Sequence, residues 1–134
     1  MAWTLDQKDR SFQYGRLLAV LERAEEDYYY KTSEKESRQT NAMKFMSEFR
    51  RRPFSVFERI NRHLQQAYIP RIEAWQVGRY NRLVGEIMEI LREYPEGELN
   101  RPLDDLYLMG YELQRSAFFQ KNNDSTNDDH IEEE

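Results

Sequence analysis

The sequence predicts an all-α fold, a compact bundle of about five helices followed by a disordered acidic tail. Three observations support this prediction. Apolar residues recur at spacings of three and four along most of the chain, no alternating strand pattern extends beyond a few residues, and prolines and polar stretches separate the helical segments. With 134 residues the chain has room for one domain, predicted over residues 1–120, and the tail is predicted over residues 121–134.

The first helix is predicted from about Leu5 to Tyr30. Thr4 and Gln7 have the spacing of a capping box, in which two side chains satisfy the free amides of the first turn. Apolar residues then recur at helical spacing at Tyr14, Leu17, Leu18, Leu21, Ala24 and Tyr28. The next nine residues, 31–39, contain no apolar side chain and are predicted to form a loop.

Four more helices complete the bundle. Their predicted bounds are Asn41–Arg51, Ser55–Tyr68, Arg71–Tyr94 and Leu103–Phe119. Prolines mark these boundaries, because proline disfavours a helical residue before it and is well suited to the first helical position. Pro53 thus ends the second helix, while Pro70 opens the fourth and Pro102 the fifth. From Asn122 onward the residues are mostly Asn, Asp, Ser and Glu, which is typical of a disordered acidic tail.

The composition excludes several classes of protein. The chain has no cysteine, so it has neither a disulfide framework nor a thiolate metal site or thiol nucleophile. Its longest apolar run, Leu17 to Leu21, is far shorter than the ~18 residues needed to cross a bilayer, and no basic-then-apolar signal pattern opens the chain. We therefore expect a cytoplasmic protein that makes no membrane contact.

Charge is unevenly distributed along the chain. Residues 1–40 carry a net charge of −1, residues 41–82 carry nine basic and three acidic side chains, and residues 83–134 carry four basic and fourteen acidic side chains. Binding to nucleic acid depends on the local field more than on the overall charge of −5. Eight of the nine central cations are arginines, whose planar guanidinium groups suit phosphate and stack on bases.

These central cations are the candidate nucleic-acid-binding residues: Lys44, Arg50, Arg51, Arg52, Arg59, Arg62, Arg71, Arg79 and Arg82. On the fourth predicted helix three of them share an arc of roughly 80° with Trp75, and on the third helix Arg59 and Arg62 share an arc with His63. Such strips can follow a sugar–phosphate backbone while bases stack on the aromatic ring. The alternative interpretation is that the arginines pair with carboxylates of neighbouring helices, namely Glu86, Glu89, Glu93, Asp104 and Asp105.

No catalytic or metal-binding motif is present in the sequence. The only two histidines are His63, on the polar side of the third helix, and His130, in the acidic tail. Glu86, Glu89 and Glu93 could in principle ligate a metal, yet the chain lacks the Glu-x-x-His partner of carboxylate bundles. We therefore expect a non-catalytic protein without metal or cofactor, in which these glutamates form a solvated acidic face. A helical-bundle enzyme with a carboxylate metal site is the alternative.

Several segments resemble one known family. They are residues 14–22 (YGRLLAVLE), residues 53–57 (PFSVF), Tyr94-Pro95 and residues 109–115 (MGYELQR), and in order they span about Phe12 to Phe119. This pattern is similar to the C-terminal region of the large subunit of the type I-C CRISPR Cascade complex, a region that is also made as a free small subunit from an internal start. The family's last motif continues with another Tyr and a His, where this chain has Glu112 and Leu113.

The resemblance implies an RNA-guided DNA-surveillance complex. In such a complex helical small subunits line the backbone subunits and steady the displaced non-target strand, while the guide RNA supplies sequence specificity. The expected partners are the Cascade backbone and large subunits, other copies of the chain, and target DNA paired with the crRNA. The alternative is a helical scaffold that bridges protein partners without touching nucleic acid.

Overall fold

The structure, a computed structural model, describes residues 4–32 and 39–125, and all regular secondary structure in these ranges is helical. This confirms the predicted all-α fold. Six α-helices follow one another: α1 Arg10–Thr32, α2 Asn41–Lys44, α3 Met46–Arg51, α4 Pro53–His63, α5 Ala74–Leu91 and α6 Leu106–Ser125. A π-turn over Leu64–Tyr68 and a 3-10 turn over Ile69–Arg71 connect α4 to α5, and a second 3-10 turn, Glu96–Glu98, follows α5.

Helix α1 is the central helix of the bundle. It packs against α6 along most of its length, against α5, and against α2, α4 and the π-turn. Seventeen of its 23 residues are buried, including the whole apolar run from Leu17 to Leu21. A helix with apolar residues on all sides is best placed inside a protein, which explains why this segment forms the axis around which the other helices pack.

Two glycines allow α1 and α6 to approach closely. A Cβ atom at Gly15 would overlap the carbonyl oxygen of Tyr107, and one at Gly110 would overlap the carbonyl oxygen of Phe12. Each helix therefore presents a glycine to the backbone of the other, so that the two backbones are nearly in contact. Phe49, Ile60, Leu64 and Ile87 from the outer elements complete the core around α1.

The structure corrects the predicted start of the first helix. The capping box at Thr4 and Gln7 is wrong, because α1 begins only at Arg10. The carboxylate of Asp9 caps it instead by accepting a 2.9 Å hydrogen bond from the amide of Phe12. The residues before it form a turn in which the amide of Gln7 donates to the carbonyl oxygen of Thr4 at 3.2 Å.

Several other boundaries also differ from the prediction, including the end of α5, which is at Leu91 and not at Tyr94. The second predicted helix divides at Phe45 into α2 and α3, because the backbone of Phe45 leaves the helical region. Pro70 lies in the 3-10 turn and does not open α5, which begins at Ala74 behind a capping box formed by Glu73 and Gln76. Helix α6 begins at Leu106, whose amide donates to the carboxylate of Asp104 at 2.9 Å.

Helix α6 also extends beyond its predicted end at Phe119 and reaches Ser125, so the first residues of the predicted tail are helical. The remainder of that tail, residues 126–134, lies outside the described residues, as do residues 33–38 of the predicted loop. Within the described ranges no helix has the length and apolar character needed to cross a membrane.

Candidate nucleic-acid interface

The nine predicted cations occupy three different environments. Four of them have exposed side chains with no carboxylate of the described residues within 4 Å, and we call these the open cations: Lys44, Arg59, Arg62 and Arg71. Four more take part in exposed ion pairs. The ninth, Arg79, is largely buried. The open cations are the residues whose charge remains available to a phosphate group.

Helix α4 and the turns around it position the open cations. Val56, Phe57 and Ile60 are buried, which leaves the opposite face of α4 with Arg59 and Arg62 in solvent. The guanidinium of Arg59 lies 4.8 Å from the ring centre of Phe45, which follows Lys44 directly. These contacts bring the end of α2 next to the exposed face of α4.

Arg71 extends this basic surface beyond α4. It is the last residue of the 3-10 turn that follows the π-turn, and its Nη1 donates a 2.8 Å hydrogen bond to the carbonyl oxygen of Ala67. The hydrogen bond occupies one of the five donors of the guanidinium and leaves the charge uncompensated. The open cations therefore follow one another along the chain from the end of α2, through α4, to the turn before α5, and we call them together the basic surface.

The second group consists of exposed pairs. Arg50 pairs with Asp105 at 2.6 Å, Arg51 and Arg52 pair with Glu48 at 3.1 and 3.9 Å, and Arg82 pairs with Glu86 at 3.5 Å. The four arginine side chains are between 44% and 69% exposed. Such surface pairs contribute only about 0–1 kcal/mol, so a phosphate can compete for these arginines. Asp105 and Glu86 are among the carboxylates that the alternative interpretation named as partners.

Arg79 lies apart from the other eight. Its Nη2 donates to Asp27 at 2.7 Å, and the two side chains are only 14% and 7% exposed. Its guanidinium also lies 5.0 and 5.1 Å from the ring centres of Trp75 and Phe118. Arg79 is therefore not displayed to solvent with the other predicted cations. The predicted strip on the fourth helix is broken, because Arg71 also precedes α5.

The buried charged side chains of α1 were not predicted from the sequence. Glu22 is buried, and one of its carboxylate oxygens accepts hydrogen bonds of 2.7 Å from both Tyr111 and Arg115. Arg16 is buried too, donating to Gln114 at 2.8 Å and to the carbonyl oxygen of Leu5 at 2.9 Å. The only sequence signal for this burial is the apolar run from Leu17 to Leu21, which gives α1 no fully polar side.

Burial also changes how the acids of α1 titrate. Glu25 is completely buried, and desolvation raises its pKa to about 7, although it accepts a hydrogen bond from the amide of Asn41 at the start of α2. Desolvation likewise raises the pKa of Asp27, an effect that the charge of Arg79 opposes. These groups lie inside the fold, although Glu25 is close enough to the open cation Lys44 for that charge to lower its pKa.

The carboxylates considered for metal binding are each held by a cation. Glu86 lies near Arg16 and Arg82, while Glu89 pairs with Arg92 at 2.6 Å and Glu93 with Lys8 at 3.4 Å. No cluster of three or more potential metal-ligating side chains occurs among the described residues. His63 is exposed, with its ring 5.0 Å from that of Tyr68, and His130 lies outside the described residues.

Comparison with known proteins identifies the family. The family model for the CRISPR-associated protein (Cas_Csd1) matches residues 1–119, from before α1 to within α6. The match includes every segment that carries the resemblance noted in the sequence, and it therefore confirms that resemblance. No curated protein matches the sequence. The chain belongs to the Csd1 family of CRISPR-associated proteins and is a Cascade-type component.

Proposed function

We propose that this chain is the non-catalytic small subunit of a type I-C Cascade complex, working in the cytoplasm alongside the backbone and large subunits and further copies of itself. Its role is to support target binding by holding the displaced non-target strand. The observation that carries the proposal is the set of four open cations on α2, α4 and the turn before α5, in a chain that belongs to a CRISPR-associated family.

Electrostatics favours a phosphate backbone as the ligand of this surface. A cation without a carboxylate partner is costly to place beside other cations, and a polyanion relieves that repulsion while it releases its own counterions. The neighbouring exposed pairs of Arg50, Arg51 and Arg52 add donors that a phosphate can recruit. Neither the open cations nor these paired arginines need to recognise a base sequence, which suits a complex whose guide RNA supplies the sequence specificity.

A salt titration of binding to single-stranded DNA tests the proposal. Each phosphate contact contributes about −0.7 to the slope of log affinity against log salt concentration. Replacing Arg59, Arg62 and Arg71 with alanine should therefore weaken binding and reduce the magnitude of the slope by about 2. Fluorescence anisotropy with a labelled oligonucleotide of mixed sequence measures both quantities.

A matched control comes from the opposite end of α5. Lys8, Arg92 and Arg101 also have mostly exposed side chains, but each pairs with a nearby glutamate. The triple alanine variant of these residues removes the same charge and should leave the slope unchanged. Equal losses in the two triple variants would show that net charge alone governs binding and would contradict an interface on α4.

One observation favours the scaffold function as a second candidate. Helix α6 exposes Leu108, Met109 and Phe119, whose side chains are 43%, 38% and 52% accessible. Exposed apolar side chains on one helix are typical of protein contacts. Footprinting of the non-target strand in complexes with and without the chain separates the candidates, because a scaffold without DNA contacts leaves the footprint unchanged.

A further inference from the structure

We propose that the stacked rings of Tyr28 and Tyr68 form a platform on which an unpaired nucleobase of the bound single strand stacks. The inference rests on the proposed function and adds to it a contact with a base. The two rings lie 4.1 Å apart between centres, with only 11° between their planes. This parallel arrangement is the geometry that a nucleobase itself adopts on an aromatic side chain.

The π-turn places Tyr68 in the stack. It follows α4 directly, and within it Leu64 is completely buried whereas Tyr68, four residues later, is only partly buried. A π-turn adds a residue to the helical turn and so displaces the side chains that follow. Such turns are rare, and they often occur at functional sites.

The neighbouring rings identify Tyr28 as the outer member of the pair. Tyr68 contacts the rings of His63 at 5.0 Å and Tyr29 at 5.8 Å, both at steep angles, in addition to its stack on Tyr28. Tyr28 is partly exposed, and among the described residues its other ring contact is a distant one with Tyr29 at 6.1 Å. Parallel stacking covers one face of each ring, so the second face of Tyr28 is the one that remains for a ligand.

Charge around the pair selects the class of ligand. Arg62 precedes His63, which contacts Tyr68, and Arg71 binds the carbonyl oxygen of Ala67, which precedes Tyr68. Both arginines are open cations, and each is attached to a neighbour of Tyr68, so positive charge without a described carboxylate partner lies close to the platform. That charge disfavours a cationic ligand, which an aromatic face would otherwise attract. A base whose adjacent phosphates contact guanidinium groups satisfies both the ring and the charges.

A comparison of ordinary and abasic DNA isolates the stacking contribution. An oligothymidylate and an abasic strand of the same length carry the same phosphates, so electrostatic binding to them is equal. We expect the unmodified chain to bind the oligothymidylate about tenfold more tightly than the abasic strand, measured by competition at one salt concentration. The Tyr28→Leu variant should bind both strands with the affinity of the abasic strand and retain the salt dependence of binding.

Two variants test the position of the contact. Tyr68→Phe keeps the ring and should preserve the preference for thymidylate. Tyr94→Leu removes a tyrosine that follows the C-terminal end of α5 and whose hydroxyl donates to the carbonyl oxygen of Lys8. This variant should also preserve the preference for thymidylate. Loss of the preference in Tyr94→Leu to the same extent as in Tyr28→Leu would overturn the assignment to the Tyr28–Tyr68 pair.

The outcome with the unmodified chain separates this inference from the proposed function. Equal affinity for thymidylate and abasic strands, with a steep salt dependence, would overturn base stacking and leave the phosphate-binding surface intact. Failure to bind either strand, both alone and in the assembled complex, would overturn the proposed function as well. Because this comparison needs no substitution, a folding defect in Tyr28→Leu would not prevent the test.

Discussion

Charged residues of this protein act in opposite ways depending on whether they are buried. The pair between Asp27 and Arg79 is almost completely removed from water, so the charge of Asp27 depends on Arg79 and, at a longer 3.6 Å, on Arg23 for compensation. The pair between Arg51 and Glu48 is mostly exposed, and water can replace either partner. Substitution of a buried arginine therefore tests folding, whereas substitution of an exposed one tests binding.

Replacing Arg79 with alanine should destabilise the protein by about 3 kcal/mol, because it leaves the buried carboxylate of Asp27 with only its 3.6 Å ion pair to Arg23 as compensation. Urea unfolding followed by circular dichroism measures the change. Arg62→Ala is the matched control, since Arg62 is exposed and forms no ion pair with a described residue, and its effect should stay within about 0.5 kcal/mol. Equal stability of the two variants would contradict an internal role for Arg79.

Glu25 predicts how stability depends on pH. Its pKa is about 7 in the folded chain because of burial, against 4.5 for an exposed glutamate. Between these values only the folded chain keeps the proton, so stability is fully present below pH 4.5 and is lost as the pH rises through 7. Glu22 reinforces this shift, whereas the amides of α2 and Lys44 oppose it. We expect unfolding free energy to fall between pH 5 and pH 8, by up to about 3 kcal/mol from this group.

Glu25→Gln isolates that contribution. The glutamine carbonyl can still accept from the amide of Asn41, yet it carries no charge at any pH. Urea unfolding at pH 5 and pH 8 should show the variant as more stable than the unmodified chain at pH 8 and similar to it at pH 5. An unchanged pH dependence in Glu25→Gln would mean that the buried carboxylate does not titrate in this range.

At the scale of the helices, the glycines show which surfaces are in contact. Gly15 and Gly110 lie where the backbones of α1 and α6 meet, whereas Gly78 and Gly85 of α5 have open space around them. A methyl group added at Gly15 or Gly110 has to push α1 and α6 apart. A methyl group added at Gly78 or Gly85 meets no neighbouring atom, and it replaces a flexible glycine by alanine, the best helix former.

Alanine substitutions at these glycines should consequently have opposite effects. Gly15→Ala or Gly110→Ala is expected to lower the unfolding free energy by about 1–3 kcal/mol or more, because backbone atoms cannot move aside as side chains can. Gly78→Ala and Gly85→Ala should each raise it by about 0.5–1 kcal/mol. Thermal and urea unfolding of the four single variants give the comparison, and destabilisation by Gly85→Ala would contradict open space around α5.

The helices were predictable from the sequence, but several of their ends were not. Apolar spacing and prolines placed the segments well, and Pro53 separates α3 from α4 as predicted. Thr4 and Gln7 match a capping box by spacing, yet Asp9 caps α1 because packing against α6 decides where the helix begins. Tertiary contacts select among several plausible caps, and spacing alone does not reveal those contacts.

For the molecule as a whole, local periodicity predicted which side of α4 faces the solvent. Arg59 and Arg62 point outward, as expected, because Val56 and Ile60 fix the buried side of α4. Arg79 could not be assigned in the same way. Its partner Asp27 is 52 residues away in the sequence, and only the packing of α5 against α1 brings the two together. Spacing within one helix carries no information on such a pair.

The enclosure of α1 has a consequence for how other molecules can bind this chain. From Arg10 to Leu21 every residue of α1 is buried by the chain itself, so a partner can reach only the last turns of α1, where Tyr28 lies, the outer helices and the connecting turns. Variants in the middle of α1 should accordingly lower the amount of intact protein recovered without changing the strength of any contact that the remaining protein makes. Variants on the exposed face of α4 should have the opposite effect. They should change the strength of a contact without lowering the amount of intact protein recovered.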